Sequence, residues 1–220
     1  MNASPPCHRR SLVLWIAAAV FLAGLSYFAP LFRIVPLTAA RQQSAGAAFD
    51  ASAFVDTFWS ERLLNSRDQA VDLLDLYTVL EHDPRAARAQ HARSLGLSST
   101  WYYYVSATGR VASVEGNAVF IQVGDLGTVR EVVIDTGPVF GNALRDGTGL
   151  LNVSDFANSQ DFNAISSEIN RRVEELVLPA LRDKAAVGVP VHFVGCMEIG
   201  DEDAGLDPLR VVPLIVQLEP

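Results

Sequence analysis

The chain has 220 residues, of which 50% are hydrophobic and 19% are charged, and its formal net charge is −8. A chain this apolar can bury enough surface to offset its ordering entropy, which excludes an intrinsically disordered tail. Two cysteines exclude a disulfide-built scaffold and a multi-cysteine metal cluster. The negative charge argues against a nucleic-acid partner, because such a protein needs a basic face to displace phosphate counterions.

Residues 11–32 form an apolar run with no charged side chain. A helix of this length spans a hydrocarbon core of about 30 Å. Arg9 and Arg10 supply the basic flank that stays on the cytoplasmic side. We therefore predict that residues 1–40 are a signal anchor and juxtamembrane segment, whose transmembrane helix contacts the lipid bilayer through residues 11–32. The small residues at 38–40 leave cleavage by signal peptidase open as an alternative.

The rest of the chain is more acidic than the whole. Of the 17 basic and 25 acidic residues, residues 1–40 contain three arginines and no acid, which leaves a net charge of −11 on the remainder. Such a charge favours solubility and repels anionic lipid head groups. We expect an acidic body held outside the cytoplasm by an apolar anchor.

A helical region follows the anchor. Residues 41–48 are small and polar, which is typical of a linker. Beyond them, apolar residues recur at spacings of three, four or seven, which predicts amphipathic helices. We interpret residues 41–97 as a helical neck. The expected N-terminal caps of its helices are Asp50, then Ser66 or Asp68, and then Asp83.

The apolar period changes from near 3.6 to 2 at Trp101, which predicts β-strands. The long first strand contains Gly109, where we expect a bulge or a sharp bend. A long helix interrupts the strands over residues 159–183, with Ser159 as its predicted N-cap. Pro179 should loosen the last turn of this helix.

Two more strands, at residues 189–197 and 211–218, follow the long helix, and Pro213 places the last one at an edge or a bulge. A long, bent first strand followed by the order β-β-β-α-β-β is the pattern of the OB-fold, a five-stranded Greek-key barrel. We therefore predict an α+β protein in which an OB-like five-stranded β-barrel at residues 98–220 follows the helical neck.

The most unusual stretch is polar and covers residues 137–163, between the third predicted strand and the long helix. Long loops of this kind are often binding elements, and Asn, Asp and Arg can hydrogen-bond a hydroxyl-rich ligand or a partner's backbone. Alternatively, these side chains cap helices and shape turns, with an Arg–Asp pair at the surface. The candidate binding residues are Asn142, Arg145, Asp146, Asp155, Asn158 and Asp161.

We predict no catalytic residue, metal site or cofactor, because no constellation of residues selects one. The acidic loop at 201–207 has oxygen donors spaced as in calcium loops, but Val212 stands where a bidentate Glu is required. His192 and Cys196 share a strand face, yet two ligands do not make a zinc site. The sequence lacks a nucleophile elbow, a P-loop and a His-Glu-X-X-His motif.

The chain resembles a family of bacterial predicted periplasmic lipoproteins of unknown function over roughly residues 33–219. The resemblance implies an extracytoplasmic, membrane-tethered domain, often encoded beside sugar ABC-transporter genes, with no established catalytic residues. The segments that carry it are Phe49-Asp50, Val55-Asp56 and Trp59, Trp101 to Ser106, Gly116-Asn117, Thr136 to Asp146, Asp155 to Asn158 and Phe193 to Cys196.

This sequence departs from the family at the tether. Relatives are held by a lipidated Cys, but Leu25 follows Leu22-Ala23-Gly24 here, and Phe32 precedes Arg33. The resemblance and the apolar run together predict a single-pass protein of the bacterial inner membrane, tethered by the helix itself, with its body in the periplasm.

Three functions are compatible with these residues. The leading hypothesis is a non-enzymatic binding or accessory protein that supports a sugar ABC transporter by contacting one of its components through residues 137–163. The second is a domain that binds a small carbohydrate directly through the same stretch. The third is an uncharacterised hydrolase that uses acidic residues. Two carboxylates facing each other in a pocket would favour the enzyme, whereas an apolar or shallow surface would oppose it.

Overall fold

The computed structural model describes Trp15 and residues 49–95, 99–125, 129–200 and 208–219. The chain divides into two compact units, Met1–Ala48 and Phe49–Pro220. Apart from Trp15, the predicted anchor, its cleavage site and the linker lie outside the described residues, as does the acidic loop at 201–207. Among the described residues, no helix is both long enough and apolar enough to cross a membrane.

Short helices occupy the first part of the body because caps and turns interrupt them at close intervals. Asp50 caps the first helix by accepting a hydrogen bond from Ala53 N at 3.0 Å, and Asp83 caps the third. Both predicted caps are confirmed. The helical segments are α1 (Ala51–Phe58), a π-helix (Trp59–Leu63), a 3₁₀-helix (Leu64–Gln69), α2 (Leu73–His82) and α3 (Pro84–His91).

The predicted cap of the second helix is wrong. Asp72 caps α2, and its Oδ1 accepts hydrogen bonds from Leu74 N at 2.9 Å and Asp75 N at 3.3 Å. Ser66 lies in the preceding 3₁₀-helix instead, where its hydroxyl bonds to Leu63 O and to the Tyr104 hydroxyl. A tertiary contact with a strand therefore takes the side chain that local sequence offers as a cap.

In the described part of the chain, seven strands form one sheet. The two short ones, β1 (Val71–Asp72) and β2 (Ala92–Arg93), pair with the long strand β3 and were not predicted. The order of the five main strands around the helices is β-β-β-α-β-β, as predicted. These strands are β3 (Trp101–Glu115), β4 (Ala118–Val123), β5 (Arg130–Asp135), β6 (Pro190–Ile199) and β7 (Leu209–Leu218).

The pairings of the main strands run in a cycle. Strand β3 pairs with β4, β4 with β5, β5 with β7, β7 with β6, and β6 returns to β3. Every pair is antiparallel except β5 with β7, which is parallel and joined at only two positions, Val132–Leu209 and Val133–Arg210. Because this junction is so short, the sheet is not a clear barrel.

Strand β3 pairs with a main strand on each side. At Gly109 it pairs with β4 on one side and β6 on the other, and a Cβ atom there would lie 2.4 Å from Gln122 O. A side chain at position 109 would therefore meet β4, but the register shift falls between Val111 and Ser113 rather than at Gly109, where the bulge or bend was predicted. A second shift, between β6 and β7, occurs next to Pro213, as predicted.

The long helical stretch after the polar region is continuous but not uniform. Its N-cap is Asn158 rather than the predicted Ser159, because the Asn158 side chain accepts a hydrogen bond from Asp161 N at 2.8 Å. A π-turn precedes Pro179, which confirms the loosened last turn. Helix α4 (Ala143–Gly147) and a 3₁₀-helix (Val153–Asp155) come first, then α5 (Ser159–Arg172), a π-helix (Val173–Val177) and α6 (Leu178–Lys184).

One hydrophobic cluster joins the early helices to the sheet and to α5. Val55, Leu63 and Leu73 from the helical region are fully buried in the same cluster as Ile121 and Ile165. Its burial supplies the main favourable free energy of folding.

Candidate binding site

Arg145 and Asp146, two predicted site residues, lie inside the protein. Their side chains are 2% and 6% exposed and form an ion pair with an Arg145 Nε to Asp146 Oδ1 distance of 2.7 Å. Arg145 also donates to Phe162 O and to Asn163 Oδ1, both at 3.1 Å, and its guanidinium lies 3.9 Å from the centroid of the Phe162 ring. These contacts fix α4 against α5, and the alternative of a surface pair is wrong.

Asn158 and Asp161 satisfy each other at the start of α5. The Asn158 amide donates to Asp161 Oδ2 at 2.8 Å, in addition to its capping contact with Asp161 N. Asp155 lies apart from them, exposed at the end of a 3₁₀-helix. Asn158 and Asp161 therefore stabilise the start of α5, which agrees with the alternative that these side chains cap helices.

Asn142, another of the predicted residues, lines a cleft. It precedes α4, is half-buried and makes no capping hydrogen bond with its side chain. Asn142 is the last residue of the segment 138–142, which lies between β5 and α4. The structure thus does not gather the six predicted residues into one site, and it directs attention to this linking segment.

The 138–142 segment presents an aromatic side chain to solvent. Phe140 is 81% exposed. The backbone on either side of Phe140 is held by α5 and by the π-helix Val173–Val177. Val139 N donates to Glu174 Oε1 at 2.7 Å, and Asn170 Nδ2 donates to Gly141 O at 3.0 Å. An exposed phenyl ring on a backbone held at both ends is unusual for a surface loop.

An apolar cleft of about 430 Å³ lies on one side of Phe140. Its polar rim includes the ion pair between Arg210 and Asp135, at 2.6 Å, and also Glu198. The remaining walls come from the 138–142 segment, α4 and the last two strands: Pro138, Val139, Phe140, Ala143, Cys196, Gly200, Val211, Val212 and Pro213.

Burial controls the ionisation of the groups beneath this cleft. The Cys196 thiol is fully buried, and burial raises its pKa well above the usual value. Burial, together with the charges of Glu198 and Asp146, raises the pKa of Tyr102 to about 12. A thiol and a phenol held neutral in this way are poor nucleophiles and bases at neutral pH.

A second, more polar cleft of about 420 Å³ lies between the 138–142 segment and α5. Three amides and two hydroxyls contribute to its wall, and the residues that line it are Val139, Phe140, Gly141, Asn142, Asn163, Ser166, Ser167, Asn170, Arg171 and Glu174. The two clefts share Val139 and Phe140 and otherwise differ in chemistry.

The sequence pattern missed the residues that build this region. The polar face of the long helical stretch has the composition of an ordinary solvated surface. Within it, however, Glu174 of the π-helix Val173–Val177 accepts a hydrogen bond from Val139 N, and Arg172, 11% exposed, forms an ion pair with Asp56 at 2.6 Å. Phe140 had a visible signal, because Pro138 to Phe140 is an apolar run inside a polar stretch. An apolar side chain in a loop is informative when its backbone is fixed, which the sequence does not reveal.

Comparison with known proteins gives a family and a fold. A family model described as "Predicted periplasmic lipoprotein (DUF2291)" matches residues 16–217. No curated protein matches the chain. The crystal structure of an OB-fold protein from Thermotoga maritima is similar, with a TM-score of 0.69 and 22% identity over 78% of this chain and 99% of that one. The predicted family resemblance is confirmed, and the mixed α+β fold has an OB-fold neighbour.

Proposed function

The chain belongs to this family of predicted periplasmic lipoproteins, and we propose that its body is a non-enzymatic module that binds a partner protein. The family supports a periplasmic location for the body. In the proposal, the helix at residues 11–32 holds the protein in the inner membrane as a single-pass anchor. The partner is a component of a sugar ABC transporter, which the protein supports as an accessory factor.

Phe140 is the observation that carries the proposal. Leaving a phenyl ring exposed forgoes about 1.5–3 kcal/mol of burial free energy, and binding a partner would recover it. The contacts of Glu174 and Asn170 hold the backbone on both sides of the ring. A segment that is already ordered loses little conformational entropy when it binds, and buried aromatic anchors dominate the energetics of interfaces.

The apolar cleft beside Phe140 suits the same partner. Its floor and walls are apolar, and its rim has the charged pair Asp135–Arg210, whose side chains are 54% and 66% exposed. An apolar centre within a polar rim is the usual anatomy of a protein interface. We infer that Phe140 inserts into the partner while the cleft receives an apolar side chain from it.

Partner capture from membranes tests this proposal. The full-length chain, expressed in its own host and cross-linked in intact cells, should retain transporter components that are identified by mass spectrometry. Phe140→Asp should abolish their capture, because a carboxylate would have to be buried in the interface. Val187→Asp is the matched control, since Val187 is 73% exposed and far from the 138–142 segment in sequence. Unchanged capture by Phe140→Asp would refute the site.

A hydrolase is the second candidate, since the apolar cleft holds two carboxylates, Asp135 and Glu198. The arrangement favours it less, because Asp135 is more than half exposed and paired with Arg210. A general acid needs a drier setting that stabilises its protonated form. Hydrolysis of a glycoside or ester panel that Asp135→Asn and Glu198→Gln both abolish would establish the enzyme and displace the binding proposal.

The membrane anchor has its own test. Protease added to spheroplasts should digest the body and leave a short membrane-embedded fragment that contains residues 11–32. Complete protection of the body from protease would refute the proposed orientation, and release of the intact body on spheroplast formation would indicate cleavage of the anchor.

A further inference from the structure

We propose that the partner segment bound at the apolar cleft carries an arginine next to the apolar side chain that enters the cleft, and that Glu198 and Phe140 bind this arginine. The inference rests on the proposed function, since it names the chemistry of the partner at the same site. It is carried by the Glu198 carboxylate, which has no counterion in the described part of the chain.

Glu198 lies where a bound partner would cover it. The residue belongs to β6, is exposed and lines the cleft. A Cβ atom at Gly141, the residue after Phe140, would lie 3.9 Å from Glu198 Oε2. The carboxylate therefore lies beside the backbone that carries the exposed phenyl ring, and a ligand that contacts one of the two groups is close to the other.

The other charges near the cleft are already paired. Arg210 Nη1 lies 2.6 Å from Asp135 Oδ2 on the rim, and Arg145 and Asp146 of α4 form their own buried pair. Glu198 forms no hydrogen bond or ion pair with any described residue. Two acidic residues and one basic residue line the cleft, which gives it a net charge of −1.

Binding a partner makes this carboxylate unfavourable unless the partner supplies a counterion. Closing the apolar cleft removes water from Glu198, and a carboxylate that loses its water without gaining a cation is strongly destabilising. A wholly apolar segment would leave this cost in place, and an acidic segment would add repulsion. A cationic side chain removes it, and the net charge of −11 on the chain after residue 40 attracts basic surfaces at long range.

The exposed ring of Phe140 favours arginine over lysine as that cation. A planar guanidinium can lie over an aromatic ring and also present parallel N–H donors to a carboxylate, whereas an ammonium group is a point charge. Glu198 and Phe140 offer these two groups, a carboxylate and a phenyl ring, on one wall of the cleft. A partner's arginine can therefore contact both.

The protein contains this arrangement twice within its own chain. The Arg145 guanidinium lies 3.9 Å from the Phe162 ring centroid and pairs with the adjacent Asp146. A second arginine lies 4.1 Å from an aromatic ring centroid and donates to both oxygens of one carboxylate, at 3.0 and 3.1 Å. Its three members are Arg130, Tyr77 and Glu81. At the cleft the ring and the carboxylate are present, and we infer that the partner supplies the arginine.

Peptide binding to the full-length chain in lipid nanodiscs tests the inference. The probe is acetyl-leucyl-arginine amide, whose leucine suits the apolar cleft. The matched probe is acetyl-leucyl-citrulline amide, in which a neutral urea of similar shape replaces the guanidinium. Titrations followed by saturation-transfer NMR give the two dissociation constants. We expect the arginine peptide to bind about fivefold more tightly, as expected for one ion pair at the rim of a cleft. Glu198→Gln should remove this preference.

Glu61→Gln is the matched control, because Glu61 is an exposed glutamate of the π-helix Trp59–Leu63 and does not line the cleft. It removes the same charge and should keep the preference for arginine. No binding of the arginine peptide, equal affinity for the two peptides, or a preference that Glu198→Gln retains would each overturn the inference.

The proposed function fails in a different way. If transporter components are captured and Phe140→Asp abolishes their capture, while the peptides show no preference, the proposed function stands and the arginine is refuted. If the preference for arginine is present and depends on Glu198, but no transporter component is captured, the arginine site stands and the transporter is refuted as the partner.

Discussion

Arg145 and Phe140 lie five residues apart in sequence, and their burial is the opposite of what their chemistry suggests. The arginine is 2% exposed, paired with Asp146 and packed on Phe162, whereas the phenylalanine is 81% exposed. Polar character in a stretch of sequence therefore does not identify which of its side chains lie at the surface. In this protein the charged residues hold α4 in place, and the apolar residue is exposed to solvent. Substitutions at the two positions should therefore differ in their effect on the free energy of unfolding.

The largest expected effect comes from removing the buried arginine. Arg145→Ala should lower the free energy of unfolding by about 3–5 kcal/mol, because it leaves the Asp146 carboxylate buried without its partner. Chemical denaturation of the full-length chain followed by circular dichroism would measure this. Arg145→Lys keeps the positive charge but cannot form two parallel hydrogen bonds with the carboxylate. Its free energy of unfolding should therefore lie between those of the wild-type protein and Arg145→Ala. A loss below about 1 kcal/mol for Arg145→Ala would contradict a structural role.

A smaller loss is expected where α4 approaches the sheet. A Cβ atom at Gly147 would lie 2.7 Å from Cys196 Sγ and 3.3 Å from Tyr102 Cβ. Gly147→Ala should therefore destabilise the protein by about 1–3 kcal/mol through overpacking. Adding Cys196→Ala should restore part of the loss, since it removes the sulfur that the new methyl group meets. Gly137→Ala is the control, because the nearest atom there is 3.5 Å away, and thermal unfolding of all four proteins gives the comparison.

The variants Ser66→Ala and Ser166→Ala should differ by about 1 kcal/mol in their free energy of unfolding. Ser66→Ala removes bonds to Leu63 O and to the Tyr104 hydroxyl and should cost about 1 kcal/mol. Ser166→Ala removes a hydroxyl that has no partner among the described residues and should change stability little. Equal losses of stability in urea titrations of the two variants would mean that Ser166 has a structural bond in solution.

The smallest effect on stability is expected at the exposed ring. Phe140→Ala should change the free energy of unfolding by less than about 0.5 kcal/mol, because little of the side chain is buried. Its expected consequence is loss of partner capture instead. A destabilisation comparable with that of Arg145→Ala would show that Phe140 packs against the protein in solution, and the contrast between the two positions would then fail.

Local features of the body were predictable because they depend on neighbouring residues. The caps at Asp50 and Asp83, the strand that begins at Trp101 and the loosening at Pro179 all follow from short-range rules. The error at Ser66, which was predicted as a cap, could not be foreseen, because its hydroxyl bonds to Tyr104, a residue 38 positions away in sequence. Site prediction had the same limit, since burial depends on which distant segments pack together.

By itself, the sequence determined the composition of an apolar segment at residues 11–32, an acidic remainder, and the order of helices and strands. These follow from hydrophobic periodicity and charge, which are read along the chain. Tertiary structure decided that β6 pairs with β3 to complete the cycle of strands, that Arg145 is buried, and that Phe140 is exposed on a fixed backbone. Burial and fixation arise from contacts between residues far apart in sequence, so only the folded chain specifies them.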